Sequence, residues 1–312
     1  MKAIIVNEFG GTDQLIYTEL PVPAIKDDEV LVKVVAVSIN PVDVKTRAGK
    51  GVSGRIKERP LILGWDISGI VTATGKTVSR FKTGDEVFGM VNFPGHGKAY
   101  AEYVAAPAAH LALKPAGITH QQAAATTLAA LTAWQVLFHK GGLQKGQRLL
   151  IHAAAGGVGH FAVQLARWAG AYVIGTSSAA NKDFVRQLGA DEHIDYKNQR
   201  FEEEVRDLDL VLDAVGGELT ARSIPVIKPG GKLISIPTGI APEVIQQAAD
   251  SNVDAFFYLV QSNGEDMEQL AGLLANKAIR PYVNHYDFAQ MDIAHQQQES
   301  GSTKGKIVLT VA

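Results

Sequence analysis

Residues 151–166, IHAAAGGVGHFAVQLA, narrow the choice of fold more than any other stretch of the chain. The run Leu149-Leu150-Ile151 reads as a short strand. Val158, Phe161, Ala162, Leu165, Ala166 and Ala169 then recur at helical spacing, and Gly170 suits the left-handed end of that helix. Gly156, Gly157 and Gly159 lie at the junction. Glycines at such a turn let the main chain approach a ligand closely, and the exposed N–H groups and dipole of the first helical turn favour negative charge. Ala154-x-Gly156-x-x-Gly159 fits the dinucleotide fingerprint with alanine at its first position. On this turn alone, a diphosphate site and a plain sharp corner both remain open.

The continuation favours the diphosphate. Ala171–Thr176, His193–Asp195, Leu208–Asp213, Lys232–Ile236 and Ala255–Leu259 are short apolar runs separated by helix-compatible residues, which predicts a doubly wound parallel sheet. In such a sheet the ligand lies beyond the carboxyl ends of the strands. NAD-specific sites carry a carboxylate about 20 residues past the glycine turn. This chain has Gly175-Thr-Ser-Ser-Ala-Ala-Asn-Lys182 there, with no acid, and Ser177, Ser178 and Lys182 as donors for a 2′-phosphate. NADPH is therefore the expected cofactor.

Composition bounds the alternatives. With 312 residues, 46% of them hydrophobic, the chain can bury a large core and divides into two domains. A net charge of −2 without a basic stripe argues against a nucleic-acid partner. The longest uncharged apolar stretch, Ala123 to Phe138, is too short to cross a bilayer and reads as one buried helix. The first residues, MKAIIVNEFGG, resemble a strand and not a leader, and the absence of cysteine removes disulfide and thiolate chemistry. A cytoplasmic protein is expected. Seven of the twelve prolines fall in the first 115 residues among strand-like runs, which predicts a β-rich first domain. Met267 to Ala275 reads as helical, and Lys306–Val311 as a closing strand that returns to the first domain. The predicted division is 1–120, 121–262 and a returning segment 263–312.

INPVDVKTRAG at 39–49, LGWDISGIV at 63–71, FKTGDEVFG at 81–89, AAAGGVGHFAVQLA at 153–166, LGADEHIDY at 188–196 and GKIVLTV at 305–311 together resemble the medium-chain dehydrogenase/reductase superfamily. The nearest likeness is to its zinc-free quinone oxidoreductase branch, with the enone and alkenal reductases. This resemblance implies an α/β protein made of a GroES-like β-rich catalytic domain and a Rossmann domain, assembled as a homodimer through the last strands of the nucleotide sheet. It implies an NADPH-dependent enzyme that passes hydride to a small quinone or α,β-unsaturated carbonyl. Tyr196 resembles a contact to the 2′-phosphate, and Thr132, Pro237, Phe257 and Lys306 are further implied cofactor contacts beside Ala154, Gly156, Gly157, Val158 and Gly159.

Zinc-dependent relatives place a cysteine where this chain has Asn40, a histidine or serine near Lys45 and Val42, and a histidine at Trp65. Asp66 survives, and one carboxylate does not make the three-ligand site that catalytic zinc needs. No metal is expected. Hydride transfer to a conjugated acceptor suits this, since conjugation already carries the developing charge to oxygen. Asn40 then offers an amide donor and Lys45 a cation to that oxygen, while Asp43 orients the loop. His152 and His160 read as ordinary polar residues flanking the glycine turn, and His96 as a residue that could line the substrate mouth. An enoyl-thioester reductase and a non-catalytic NADPH-binding protein remain alternatives.

Overall fold

β-Branched residues dominate Glu29–Ile39, and the strand they form is buried along nearly its whole length, with Val30, Val32, Ala36, Val37 and Ile39 all inaccessible. It is the spine of the first of two compact units in the computed structural model, which describes residues 1–311. That unit comprises Met1–Leu131 and the chain from Val260 onward. Its main sheet runs Val283–Asp287, Lys306–Thr310, Glu29–Ile39, Asp66–Thr74, Glu86–Met90, Leu111–Leu113, with Tyr103–Pro107 also paired to the spine. The closing strand lies antiparallel to the spine, in a register that sets Ile307 opposite Ile39. Lys306 is thereby carried to the start of the helix Pro41–Arg47.

The second unit, Thr132–Leu259, is built on six parallel strands. Their order is Glu192–Asp195, Tyr172–Ser177, Arg148–Ile151, Leu208–Asp213, Ile227–Ser235, Asp254–Phe257. Counted along the chain this is 3-2-1-4-5-6, the doubly wound order that leaves a crevice at the carboxyl end of the first strand. The mixed α/β architecture thus has a GroES-like unit and a Rossmann-like unit. No helix among the described residues is long and apolar enough to cross a membrane.

One local expectation fails. Ala123 to Phe138 is not a single helix but the end of His120–Ala125, the helix Leu128–Trp134 and a wider-wound π turn, Gln135–Lys140. The cause is in the threonines. Thr126 Oγ1 donates to Gln122 O at 2.8 Å and Thr127 Oγ1 to Ala124 O at 2.7 Å, and hydroxyls that bond back to helical carbonyls compete with the ladder.

Candidate active site

In the second unit the first strand ends at Ile151 and the helix Gly159–Trp168 begins eight residues later. The intervening turn is tight. Ala153 adopts the left-handed conformation (φ 55°), Ala154 is fully buried, and a Cβ on Gly159 would lie 2.1 Å from Ala153 O. Glycine at 159 is required by contact. The residue that takes the left-handed bend is Ala153, one position earlier than the fingerprint suggests, so Ala154 serves packing against Gly175 and not the bend itself. The N–H groups of Gly157 and Val158 have no partner among the described residues. Two free amides at a helix N-terminus are what a diphosphate needs.

The other implied cofactor residues gather at the carboxyl edge of the same sheet. Ser178 and Lys182 follow the second strand and Tyr196, 60% exposed, follows the third. Ser177 is different: it is buried, and its hydroxyl is occupied by Ser178 O at 3.1 Å and His193 Nε2 at 2.8 Å. The fold also supplies an acid that the sequence window missed. Asp195, from the neighbouring strand, accepts from Ala179 N at 3.1 Å, Lys197 N at 3.2 Å and Asn198 Nδ2 at 2.6 Å. Those donors, led by Asn198, hold its carboxyl below the usual range. Pro237 packs where a Cβ on Gly216 would meet it at 3.1 Å, and Phe257 ends the edge strand, 40% exposed. Thr132 is buried at the start of the unit.

His152 and His160 take structural roles. His152 is buried between Thr176 Oγ1 (3.2 Å) and Ser223 Oγ (3.0 Å), and burial drives its pKa down to about 4. His160 Nδ1 faces Gly156 O at 2.9 Å. In the first unit His96 Nε2 faces Ile62 O at 3.0 Å.

The remaining site residues converge in the first unit. Asn40 caps the helix Pro41–Arg47: its N–H donates to Asp43 Oδ2 at 2.8 Å, closing a capping box. Its side-chain amide donates to Asp66 Oδ2 at 2.8 Å and accepts from Lys306 Nζ. Lys306 also donates to Ile39 O at 2.8 Å, and Asp66 Oδ1 accepts from Leu128 N at 3.0 Å. Asn40, Asp43, Asp66 and Lys306 are all buried. Asn40 thus spends its Oδ1 on Lys306 and one Nδ2–H on Asp66. The Lys306 amine is buried against Ile39 O and Asn40, with Asp66 Oδ2 3.9 Å away. Lys45 alone of the three expected catalytic residues is part-exposed, in the last turn of the helix.

Burial sets the electrostatics of this cluster. It pushes Asp43 up to about 7, with Asp66 adding to the effect, and it raises Asp66 against the pull of Lys306. It lowers the pKa of Lys306, which Asp66 and Asp43 oppose. Among the described residues, no group of three or more His, Cys, Asp or Glu side chains is placed to hold a metal ion. Trp65, at a zinc-ligand position of the zinc-dependent relatives, is buried and donates its indole N–H to Gly95 O at 2.7 Å.

Known proteins match this arrangement along its whole length. Residues 26–116 match the alcohol dehydrogenase GroES-like domain, and residues 188–309 the family described as zinc-binding dehydrogenase. The chain is 33% identical to 2-methylene-furan-3-one reductase of Solanum lycopersicum, over 99% of its own length and 79% of that protein's. It is equally 33% identical to the chloroplastic NADPH-dependent alkenal/one oxidoreductase of Arabidopsis thaliana, with the same coverage. Among solved structures, the quinone oxidoreductase from Coxiella burnetii superposes with a TM-score of 0.94 at 37% identity, over 100% of this chain and 99% of that one.

Proposed function

The chain belongs to the medium-chain dehydrogenase/reductase superfamily, and from that membership we propose that it is an NADPH-dependent reductase acting on the C=C bond of α,β-unsaturated carbonyls or on quinones. The observation that carries the reading is the use made of the zinc-ligand positions. Asp66, the one ligand-type residue kept there, spends both oxygens on Leu128 N and Asn40 Nδ2. Asn40 and Trp65 fill two of the others and are themselves hydrogen-bonded. A site so committed supplies no strong Lewis acid to a carbonyl. The acceptor must then carry its own electron sink, and conjugation provides one.

NADPH supplies the hydride when bound. The turn fits its diphosphate, because Gly159 leaves room that a Cβ would fill and Gly157 and Val158 present free N–H groups. Ser178, Lys182 and Tyr196 would hold the 2′-phosphate, with Asp195 kept from it by its own three donors. In the first unit Lys45 stabilises negative charge as it develops on the acceptor oxygen. Asn40, Asp66 and Lys306 keep the helix start fixed so that this cation is preorganised.

The test is product analysis. Purified protein with NADPH and a panel of enones, alkenals, quinones and saturated ketones should give saturated ketones from enones, hydroquinones from quinones and nothing from the saturated ketones. Alcohol as the main product from either ketone class would overturn the reading.

A further inference from the structure

Lys182 and Tyr196 sit on two different loops, and one carboxylate ties those loops together. Asp195 ends the third strand of the second unit's sheet, opposite Ser177 at the end of the second. Its Oδ1 accepts from Lys197 N, two residues on, at 3.2 Å, so Tyr196 is the middle residue of a turn closed by that side chain. The same oxygen reaches across to the neighbouring loop and accepts from Ala179 N at 3.1 Å. Ala179 directly follows Ser178 and opens the short turn Ala179–Asn181, which runs into the helix Lys182–Gln187. Oδ2 accepts from Asn198 Nδ2 at 2.6 Å. The main chain of Asp195 is spent on the same turn: its N–H donates to Gln199 Oε1 at 3.0 Å, and its carbonyl accepts from Asn198 N at 3.0 Å and Gln199 N at 2.8 Å. Tyr196 N in turn donates to Ser177 O at 3.2 Å. A side chain that ends one strand thus clasps the loop that leaves its neighbour.

We propose that Asp195 is the positioning residue behind the preference for NADPH over NADH: by accepting from Lys197 N and Ala179 N with one oxygen, it fixes the Tyr196 turn and the Ser178–Lys182 loop at one spacing, so that both reach the same 2′-phosphate. The inference rests on the reading of Ser178, Lys182 and Tyr196 as the holders of that phosphate. Asp195 itself touches no nucleotide in this role. What serves is the place of the acceptor and not its charge, because a carboxylate beside a phosphate repels it. NADH has no 2′-phosphate, so loosening the two loops costs NADPH and spares NADH. A carboxylate left free to accept from a ribose hydroxyl, as in NAD-specific sites, would have the opposite effect.

Three variants separate geometry from charge, read by fluorescence titration of the whole chain with NADPH and with NADH. Asp195→Ala removes the acceptor. Asp195→Glu keeps the charge but displaces it by one methylene from the two N–H groups. Asp195→Asn keeps Oδ1 in place, and the Asn198 amide turns over to offer its oxygen to the new Nδ2. Ala and Glu are expected to raise Kd for NADPH about tenfold, roughly the net worth of one hydrogen bond, with Kd for NADH within about twofold of the parent. Asn should bind NADPH no more than about threefold more weakly than the parent. Hydrogen exchange should show the Ala179 and Lys197 amides losing protection together in Ala and Glu and keeping it in Asn. The Glu and Asn pair decides the matter if Asp195→Ala does not fold. Asn behaving like Ala while Glu behaves like the parent, equal weakening of both nucleotides, or tighter NADPH binding in Ala each overturns the proposal. A parent that binds NADH as tightly as NADPH overturns the 2′-phosphate reading and this proposal with it. A parent that prefers NADPH, with an Ala variant that prefers it as strongly, overturns the proposal alone.

Discussion

Lys45 and Gly159 show how differently single residues can matter here. Lys45 sits in the last helical turn of Pro41–Arg47, part-exposed, with its Cβ where a side chain on Gly51 would crowd it at 3.1 Å. Its proposed work is electrostatic, so Lys45→Met should fold normally and lose about 10²- to 10³-fold in kcat/KM on enones, as removal of one preorganised donor does. A loss under about threefold would make it a bystander. Gly159 acts through space alone. The alanine methyl would meet Ala153 O at 2.1 Å and Ala154 Cα at 2.7 Å, both backbone, so the turn must move. Gly159→Ala should cost about 1–3 kcal/mol in a denaturant titration and weaken NADPH binding in a fluorescence titration. Unchanged affinity would remove the diphosphate from this turn.

Turns at the carboxyl ends of the strands carry the second unit's binding edge, and the one after Leu208–Asp213 depends on a single side chain. Asp213 Oδ1 accepts from Val215 N at 2.9 Å and Gly216 N at 2.8 Å, and Oδ2 from Thr220 Oγ1 at 2.6 Å. The carboxylate thereby ties the strand to the helix Glu218–Ser223 across Gly216 and Gly217, both with left-handed φ. Asp213→Ala would leave three donors without their acceptor, a cost of roughly 2–4 kcal/mol. Chemical unfolding measures it, and Asp213→Asn should recover part of the loss. The edge after the second and third strands carries the residues proposed for cofactor choice. With Lys182 and Tyr196 serving the 2′-phosphate, Lys182→Ala should raise KM for NADPH severalfold and leave KM for NADH unchanged; equal effects on both would count against that assignment.

Acid should unfold the whole molecule steeply. His152 and His295 are neutral in the fold, with pKa values near 4 and 3, and burial is the first cause of each. In the unfolded chain both titrate near 6.5, so the unfolded state binds more protons below that pH and stability falls as pH drops from about 6.5 to about 4. His152 alone accounts for about 3 kcal/mol across that span. Asp43 works the other way: its carboxyl is raised to about 7, so the fold holds the extra proton and stability falls as pH rises from about 4 to about 7. Two histidines outweigh one carboxyl, and the melting temperature should peak near neutrality. A profile flat from pH 4.5 to 7 would contradict this balance. At the same scale, the strand Asp254–Phe257 ends the six-stranded sheet with Phe257 exposed, an edge that a second copy would cover. A dimer mass in solution at micromolar concentration is expected, and a monomer would dispose of it.

Local chemistry made much of this protein readable from its residues. Gly156, Gly157 and Gly159 between a strand and an amphipathic helix marked the turn, and alternating apolar runs foretold the parallel sheet, because strand period, helix period and turn geometry are properties of neighbours in the chain. Six motifs in order gave the family. Contacts between distant positions were not readable. Lys306 meets Asn40 across 266 residues, Arg47 meets His295 across 248, and Tyr100 meets His295 across 195, so nothing in the local pattern marks any of them. Gly64 illustrates the dependence: with φ 88° and a would-be Cβ 2.4 Å from Tyr100 Cδ1, it clears the space in which that ring reaches His295. The same holds for Asp195, two strands beyond the turn yet beside Ala179. The sequence by itself determined which elements form and what cofactor class they suit, since those follow from spacing and residue type. Only the tertiary structure decided which polar groups are spent on one another, because burial and partners, not identity, fix what an amide, a carboxylate or an amine is free to do.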